Sequence, residues 1–165
     1  FNPSSLFKKS QKKIEWLIDL VAAIRSTKVE LNIPPGSYID VSIEELNNYN
    51  KRVISDNLDI FKRLGRISNI HETKINKNGI KIIASGTSLT LYFDQNFDLN
   101  KQIENISTRV KNLNQSITNI EQKLKNKSFL KNAPKQIVEK DRKAMVDYKF
   151  ELKKLNSILN SIKKD

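Results

Sequence analysis

Cysteine is absent from the 165-residue chain, which excludes disulfides, thiolate metal sites and a cysteine nucleophile. Histidine occurs once, at His71, so a histidine-rich metal centre is excluded, while a Ser-His-Asp triad is not excluded by count alone. The glycines are Gly36, Gly65, Gly79 and Gly86 and do not cluster, so neither a GxGxxG nor a GxxxxGK phosphate loop is present. No apolar run approaches the roughly 18–20 residues that a membrane span needs, and the start carries no signal-peptide core. With so little glycine and proline, a hydrophobic content of 38% argues against disorder and for long solvated helices. The expectation is a soluble, cytoplasmic protein of a reducing compartment, without a membrane partner. The chain opens at Phe1 rather than Met, which suggests a piece of something longer.

What is present falls into three zones by periodicity. From about Lys12 to Leu31, Ile14, Leu17, Ile18, Val21, Ile24 and Val29 recur at helical spacing, and Pro34-Pro35-Gly36 is expected to stop the helix. The second zone mixes strands with a helix. Tyr38 to Ile43 alternates as a strand does, and Tyr49 to Leu64 suits one helix ended by Gly65. Arg66 to Ile75, Gly79 to Ala84 and Ser88 to Phe93 read as three further strands. Asn76-Lys77-Asn78-Gly79 is expected to form a tight hairpin turn between the first two of these. His71 falls on the polar side of its strand and reads as a surface residue. No catalytic centre is visible.

The third zone has the clearest period. Leu99, Ile103, Ile106, Val110, Leu113, Ile117, Ile120 and Leu124 alternate spacings of four and three without a break, a heptad seam. After Asn126 to Pro134 a second seam follows, through Val138, Asp141, Met145, Tyr148, Leu152, Leu155, Leu159 and Ile162, with Asp141 its polar intruder. Two seams of similar length joined by a short loop predict an antiparallel helical hairpin, with Pro134 in the first turn of its second helix. The fold class is therefore α+β: a helix and a small mixed α/β region with four short strands, then a long antiparallel two-helix coiled coil. Gly86 and the link from Gln95 to Asp98 are candidate hinges.

Charge is uneven. Residues 1–97 hold 14 basic and 10 acidic side chains, and residues 98–165 hold 16 and 8. Lys123, Lys125, Lys127, Lys131 and Lys135 crowd the bend, with only Glu121 close in sequence. A basic tip of this kind attracts phosphate over about 8–10 Å in physiological salt. The excess of Lys (24, against 6 Arg), with 21 Ile and 19 Asn, is also what an AT-rich genome produces, so part of it is solvation. Phe129 at the bend reads as a plug packing the loop on the helix ends, more than as a base-stacking platform.

Two stretches, Ile14-Glu15-Trp16-Leu17 with Ala23 through Gly36, and Ile120 through Arg142, resemble bacterial valyl-tRNA synthetases. Ile14-Glu15-Trp16-Leu17 followed by Ala23 through Gly36 is similar to the last part of that family's anticodon-binding helical domain, with its Asn, apolar, x, Pro, Gly exit. Ile120 through Pro134, continuing through Ile137-Val138-Glu139-Lys140-Asp141-Arg142, is similar to the bend of the family's coiled-coil arm. Lys28 stands where the family is expected to have Arg, keeping the charge but losing the bidentate fork. The resemblance implies three parts: residues 1–37 as the C-terminal helix of the anticodon-binding domain, 38–96 as a small α+β subdomain, and 97–165 as a tRNA-binding arm. It also implies an enzyme that charges valine onto its tRNA with ATP, monomeric, whose catalytic and editing domains are not in these residues. This part binds no cofactor and no metal and is itself non-catalytic.

The residues expected to contact tRNA are Lys123, Lys125, Lys127, Lys131 and Lys135 at the bend, then Arg109, Arg142 and Lys143 along the arm. Arg25 and Lys28 on the first helix are further candidates, with Arg25 alternatively pairing with Glu30 or another carboxylate. Two other readings share parts of the pattern: an RNA- or ribosome-binding coiled-coil arm of another translation factor, and a protein–protein coiled coil.

Overall fold

The computed structural model describes residues 3–77, 79–94 and 96–162, with the side chains of residues 10 onward. It divides into two compact units, one running through Asp98 and the other beginning at Leu99.

The first unit starts with α1 (Pro3–Glu30), whose Leu17, Leu20, Val21 and Ile24 form a buried stripe. The helix ends before the prolines. The Ile33 N–H donates to the Lys28 carbonyl (2.9 Å) and the Asn32 N–H to that of Val29 (3.0 Å), while Asn32 is left-handed at φ 53°. This pairing of bonds is a Schellman cap built on asparagine. Gly36 has no positive φ, and Pro34 to Ser37 makes an ordinary turn closed by a 2.9 Å bond from the Ser37 N–H.

β1 (Ile39–Ile43) follows, then α2 (Asn48–Asp56), α3 (Leu58–Gly65) and β2 (Ile67–His71). The single helix expected over Tyr49 to Leu64 is thus two. They break at Asn57, whose side-chain amide donates back to the Val53 carbonyl (2.8 Å). Gly65 is not the left-handed cap either; that residue is Arg66, at φ 51°. Gly65 is the last residue of α3, and a Cβ there would stand 2.8 Å from Ile67 Cδ1, so the bare Cα leaves room for that side chain.

β3 (Gly79–Ala84) and β4 (Thr87–Tyr92) complete a sheet of order β2-β1-β4-β3. β2 pairs with β1 in parallel, and β3 with β4 antiparallel. The hairpin expected between β2 and β3 therefore does not form, since those strands occupy opposite edges of the sheet; Asn78 itself lies outside the described residues. The true tight turn is Ser85-Gly86, with φ 46° and 73°, closed by the Ala84–Thr87 pair. Two positive φ values are what the twist of a two-residue hairpin requires. Gly86 is thus the second residue of this turn, and Gln95, in the other hinge candidate, lies outside the described residues.

An irregularity in the β1–β2 ladder matches Ile39 to Ile67 but Val41 to Ile70, so one extra β2 residue lets both isoleucines meet the core. That core joins α1, α3 and one sheet face through Leu20, Ile24, Phe61, Val41, Leu89 and Leu91, so α1 and the sheet pack as one body. On the opposite face Ser42 Oγ and Tyr92 Oη lie 3.1 Å apart, and the Ile75 N–H donates to Tyr92 Oη (3.1 Å) as the β2–β3 link crosses. His71 is half-buried, with Nε2 shielded and without a hydrogen-bond partner among the described residues.

The second unit holds α4 (Leu99–Lys125), α5 (Lys127–Asn132) and α6 (Lys135–Ile162). α4 and α6 pack along their lengths as the two seams require. All sixteen seam positions are buried or half-buried. The bend is not a simple break, since Asn126–Pro134 contains the short α5. Among the described residues no helix is long and apolar enough to cross a membrane.

Candidate nucleic-acid interface

The bend is built by local capping. Asn126 Oδ1 accepts from the Ser128 N–H (3.0 Å) and the Phe129 N–H (3.2 Å), starting α5. The Ala133 N–H donates to the Phe129 carbonyl (2.8 Å), and the Pro134 carbonyl receives the Ile137 N–H (2.9 Å) to start α6. Phe129 is half-buried and Leu130 is exposed.

Around this turn stand Lys125 at the end of α4, Lys127 and Lys131 on α5, and Lys135 at the start of α6, all exposed. None of these four makes an ion pair among the described residues. Lys143, also exposed, is likewise unpaired, and so is Lys140, which the sequence reading did not single out. Only an assignment of its heptad position, which puts it outside the seam, marks Lys140 in the sequence.

The other arm candidates have partners. Arg109 pairs with Glu151 across the hairpin, and Lys149 with Glu121 at 3.0 Å. Lys123 lies 3.8 Å from Asp141 Oδ2, so the polar intruder of the second seam faces a lysine of the first helix. Arg142 lies 3.6 Å from Glu139 within α6. Arg109 and Lys123 therefore spend part of their charge holding α4 against α6. Of the exposed cations without an ion pair among the described residues, Lys125, Lys127, Lys131 and Lys135 stand together at the bend, while Lys111 and Lys153 stand singly on the long helices.

In the first unit, Arg25 is exposed, whereas Lys28 is buried at 3% exposure and donates from Nζ to the Ser37 carbonyl. Burial lowers its pKa, and the nearby charges of Arg66 and Arg25 lower it further. A pocket gathers Arg25 and Lys28 with Arg63 and Arg66. Arg25 and Lys28 are candidates from their sequence, whereas Arg63 and Arg66 lie on another helix and its cap, with no local signal that joins them to α1.

The fold and site define a small α+β module followed by a helical hairpin with a basic turn. The family model for the valyl tRNA synthetase tRNA binding arm matches residues 98–163. Over 162 residues, 97% of the chain, it is 32% identical to the valine–tRNA ligase of Pelagibacter ubique, of which it spans 18%. The valine–tRNA ligase of Aquifex aeolicus is 24% identical over 98% of the chain, which spans 14% of that protein. That of Petrotoga mobilis is 23% identical over 98% of the chain, which spans 19% of it. The chain thus covers less than a fifth of the length of these curated relatives. It belongs to the valyl-tRNA synthetase family, as a C-terminal segment that includes the arm.

Proposed function

We propose that this segment holds tRNA for a valine–tRNA ligase, through phosphate contacts made by Lys125, Lys127, Lys131 and Lys135. The observation that carries this reading is a division of labour among the arm's cations: Arg109, Lys123 and Lys149 pair across the hairpin, while the other four bend lysines, Lys125, Lys127, Lys131 and Lys135, are exposed and make no ion pair among the described residues. An ammonium held in water at a turn carries no desolvation penalty and exchanges condensed counterions for phosphate. Lysine is a point charge on a flexible stem, so such a surface follows the backbone of folded RNA and reads shape rather than base edges. Lys140, Arg142 and Lys143 extend the surface along α6, and Arg109 and Lys123 contribute secondarily. Lys28, buried and bonded to Ser37, is set aside as a direct contact.

On this reading the partner is a valine-accepting tRNA and the setting is the cytoplasm. The longer enzyme, a monomer, charges that tRNA with valine at the expense of ATP, binding ATP and valine outside these residues. The residues here bind and orient the RNA and take no part in the chemistry.

Titration of the purified chain with valine tRNA across a salt series tests the assignment. Lys127→Ala/Lys131→Ala should weaken binding and flatten the slope of log K against log salt by about 1.5, near 0.7–0.9 per lost phosphate contact. Lys111→Ala, on the α4 shaft, should change little. Unchanged affinity in the double variant refutes the bend as the contact. Equal binding of an unrelated duplex RNA leaves only a generic basic rod.

A further inference from the structure

We propose that the pocket bounded by the end of α1, the loop through Pro35 and Gly36, and the α3–β2 corner is a second phosphate-binding site, with the guanidinium groups of Arg25, Arg63 and Arg66 as its ligands. Its volume is about 490 Å³, and four of its lining residues are cationic while none is acidic. The site lies wholly within the first unit and outside the residues matched by the arm model.

Three further observations agree. The buried Lys28 ammonium meets the charges of Arg66 and Arg25, and only one of its three N–H donors is accounted for, by the Ser37 carbonyl. Like charges converging on a pocket without a carboxylate are an arrangement that an entering anion relieves. Arg66 sits at φ 51°, in the left-handed region that a residue with a Cβ rarely adopts. Its Nη1 donates to Tyr38 Oη (3.1 Å) and its guanidinium lies over that ring at 5.7 Å, which fixes one edge of the fork and leaves other N–H groups for a ligand. Gly36 has no left-handed φ, and a Cβ there would meet nothing within 4 Å, so neither strain nor packing requires glycine on this wall. A bare Cα admits a ligand close to the backbone.

Arginine forks match the tetrahedral edges of phosphate in bidentate pairs, so the ligand class is a phosphate group, from an RNA backbone or from free phosphate. Only the choice of RNA as its source rests on the function proposed above.

The test follows the Arg Nε–Hε resonances of the 165-residue chain during titration with inorganic phosphate, at ionic strength held constant with chloride. The Arg25, Arg63 and Arg66 signals should move together and saturate. Arg25→Gln/Arg63→Gln, both exposed positions, should weaken phosphate binding about tenfold or more, the loss expected for charge-assisted hydrogen bonds. Lys111→Ala, exposed on α4 and outside both proposed sites, should leave it unchanged. The same signals moving with tRNA assign the site to backbone phosphate; movement with inorganic phosphate alone assigns it to free phosphate. Shifts that never saturate, or that chloride reproduces, overturn the proposal. A pocket that answers to phosphate while the bend variant binds tRNA normally would remove the arm reading and keep the site.

Discussion

The two units bury their apolar residues in different geometries, and that difference decides what their cations can do. In the first, helices cover one face of a sheet, and Leu20, Ile24, Val41, Leu89 and Leu91 are wholly buried. In the second, two helices meet along one stripe, where Ile106, Leu113, Ile117 and Ile120 are buried but Ile103, Val110, Met145, Tyr148 and Leu152 are only half so. A two-helix layer leaves most of its circumference in water, so surplus lysines stand there without a desolvation cost. In the layered unit the corresponding surplus charge, Lys28, is enclosed, and its pKa is depressed. One residue type thus makes an open electrostatic surface in one unit and a strained internal cation in the other.

The contrast breaks most severely at Ile117, in the middle of the seam and 7% exposed. Ile117→Asp places a carboxylate in the buried seam and should unzip α4 from α6. Far-UV circular dichroism should lose much of its helical signal. Fluorescence of Trp16, the only tryptophan, bonded in the first unit to Thr87 Oγ1 at 3.1 Å, should keep its urea midpoint. A Trp16 transition that moves in step with the helical signal refutes independent units. The converse break is Phe61→Ala, 1% exposed between α1 and β2, which should cost about 3–5 kcal/mol and lower the Trp16 midpoint while the hairpin persists.

The hairpin was legible because two eight-position seams of 4-3 spacing, joined by a short loop, fold back on each other most economically, and every expected seam residue lies at least half-buried. The sheet was legible in its strands but not in their pairing. Asn78-Gly79 carries the stronger local turn signal, yet β2 pairs in parallel with β1 through the α2–α3 crossover, and parallel pairing leaves no mark at the turn. Ser85-Gly86 forms the real hairpin because the flanking strands hold a serine at φ 46°. Among the site residues, sequence located the basic bend. It did not distinguish Lys127 from Lys123, because pairing with Asp141 depends on the register between two helices. Lys28 was misleading for a similar reason: a lysine before an Asn-Ile-Pro exit reads as surface until the Ser37 carbonyl folds back on it.

Asp141 sharpens the comparison at a smaller scale. Its Oδ2 is shielded and, among the described residues, accepts no hydrogen bond and has the Lys123 ammonium 3.8 Å away. An ion pair of that geometry returns less than a well-packed apolar side chain does. Asp141→Leu should stabilise the hairpin by about 1 kcal/mol, read as a higher urea midpoint in circular dichroism, and should release Lys123. Loss of stability instead would mean that the pair fixes the register of α4 on α6.

The smallest expected effect concerns Asp40 on β1, where the layered unit holds a carboxylate that the open hairpin would leave to solvent. Burial by itself would raise its pKa. Hydrogen bonds from Asn69 Nδ2 (2.9 Å) and Lys77 Nζ (3.3 Å), with the charges of Lys77 and His71, outweigh that and hold it below the ordinary carboxylate value. Since the folded chain binds this proton more weakly than the unfolded one, the stabilisation is fully present above the unfolded pKa of about 3.9 and is lost as pH falls through the folded value. Between neutral pH and pH 3, the stability read from Trp16 should therefore fall more steeply in the unsubstituted chain than in Asp40→Asn. Lys77→Met should flatten the difference, because it removes both a hydrogen bond and a charge. Parallel curves for the unsubstituted chain and Asp40→Asn would show that Asp40 contributes no acid sensitivity, and that its partners only offset the cost of burying it.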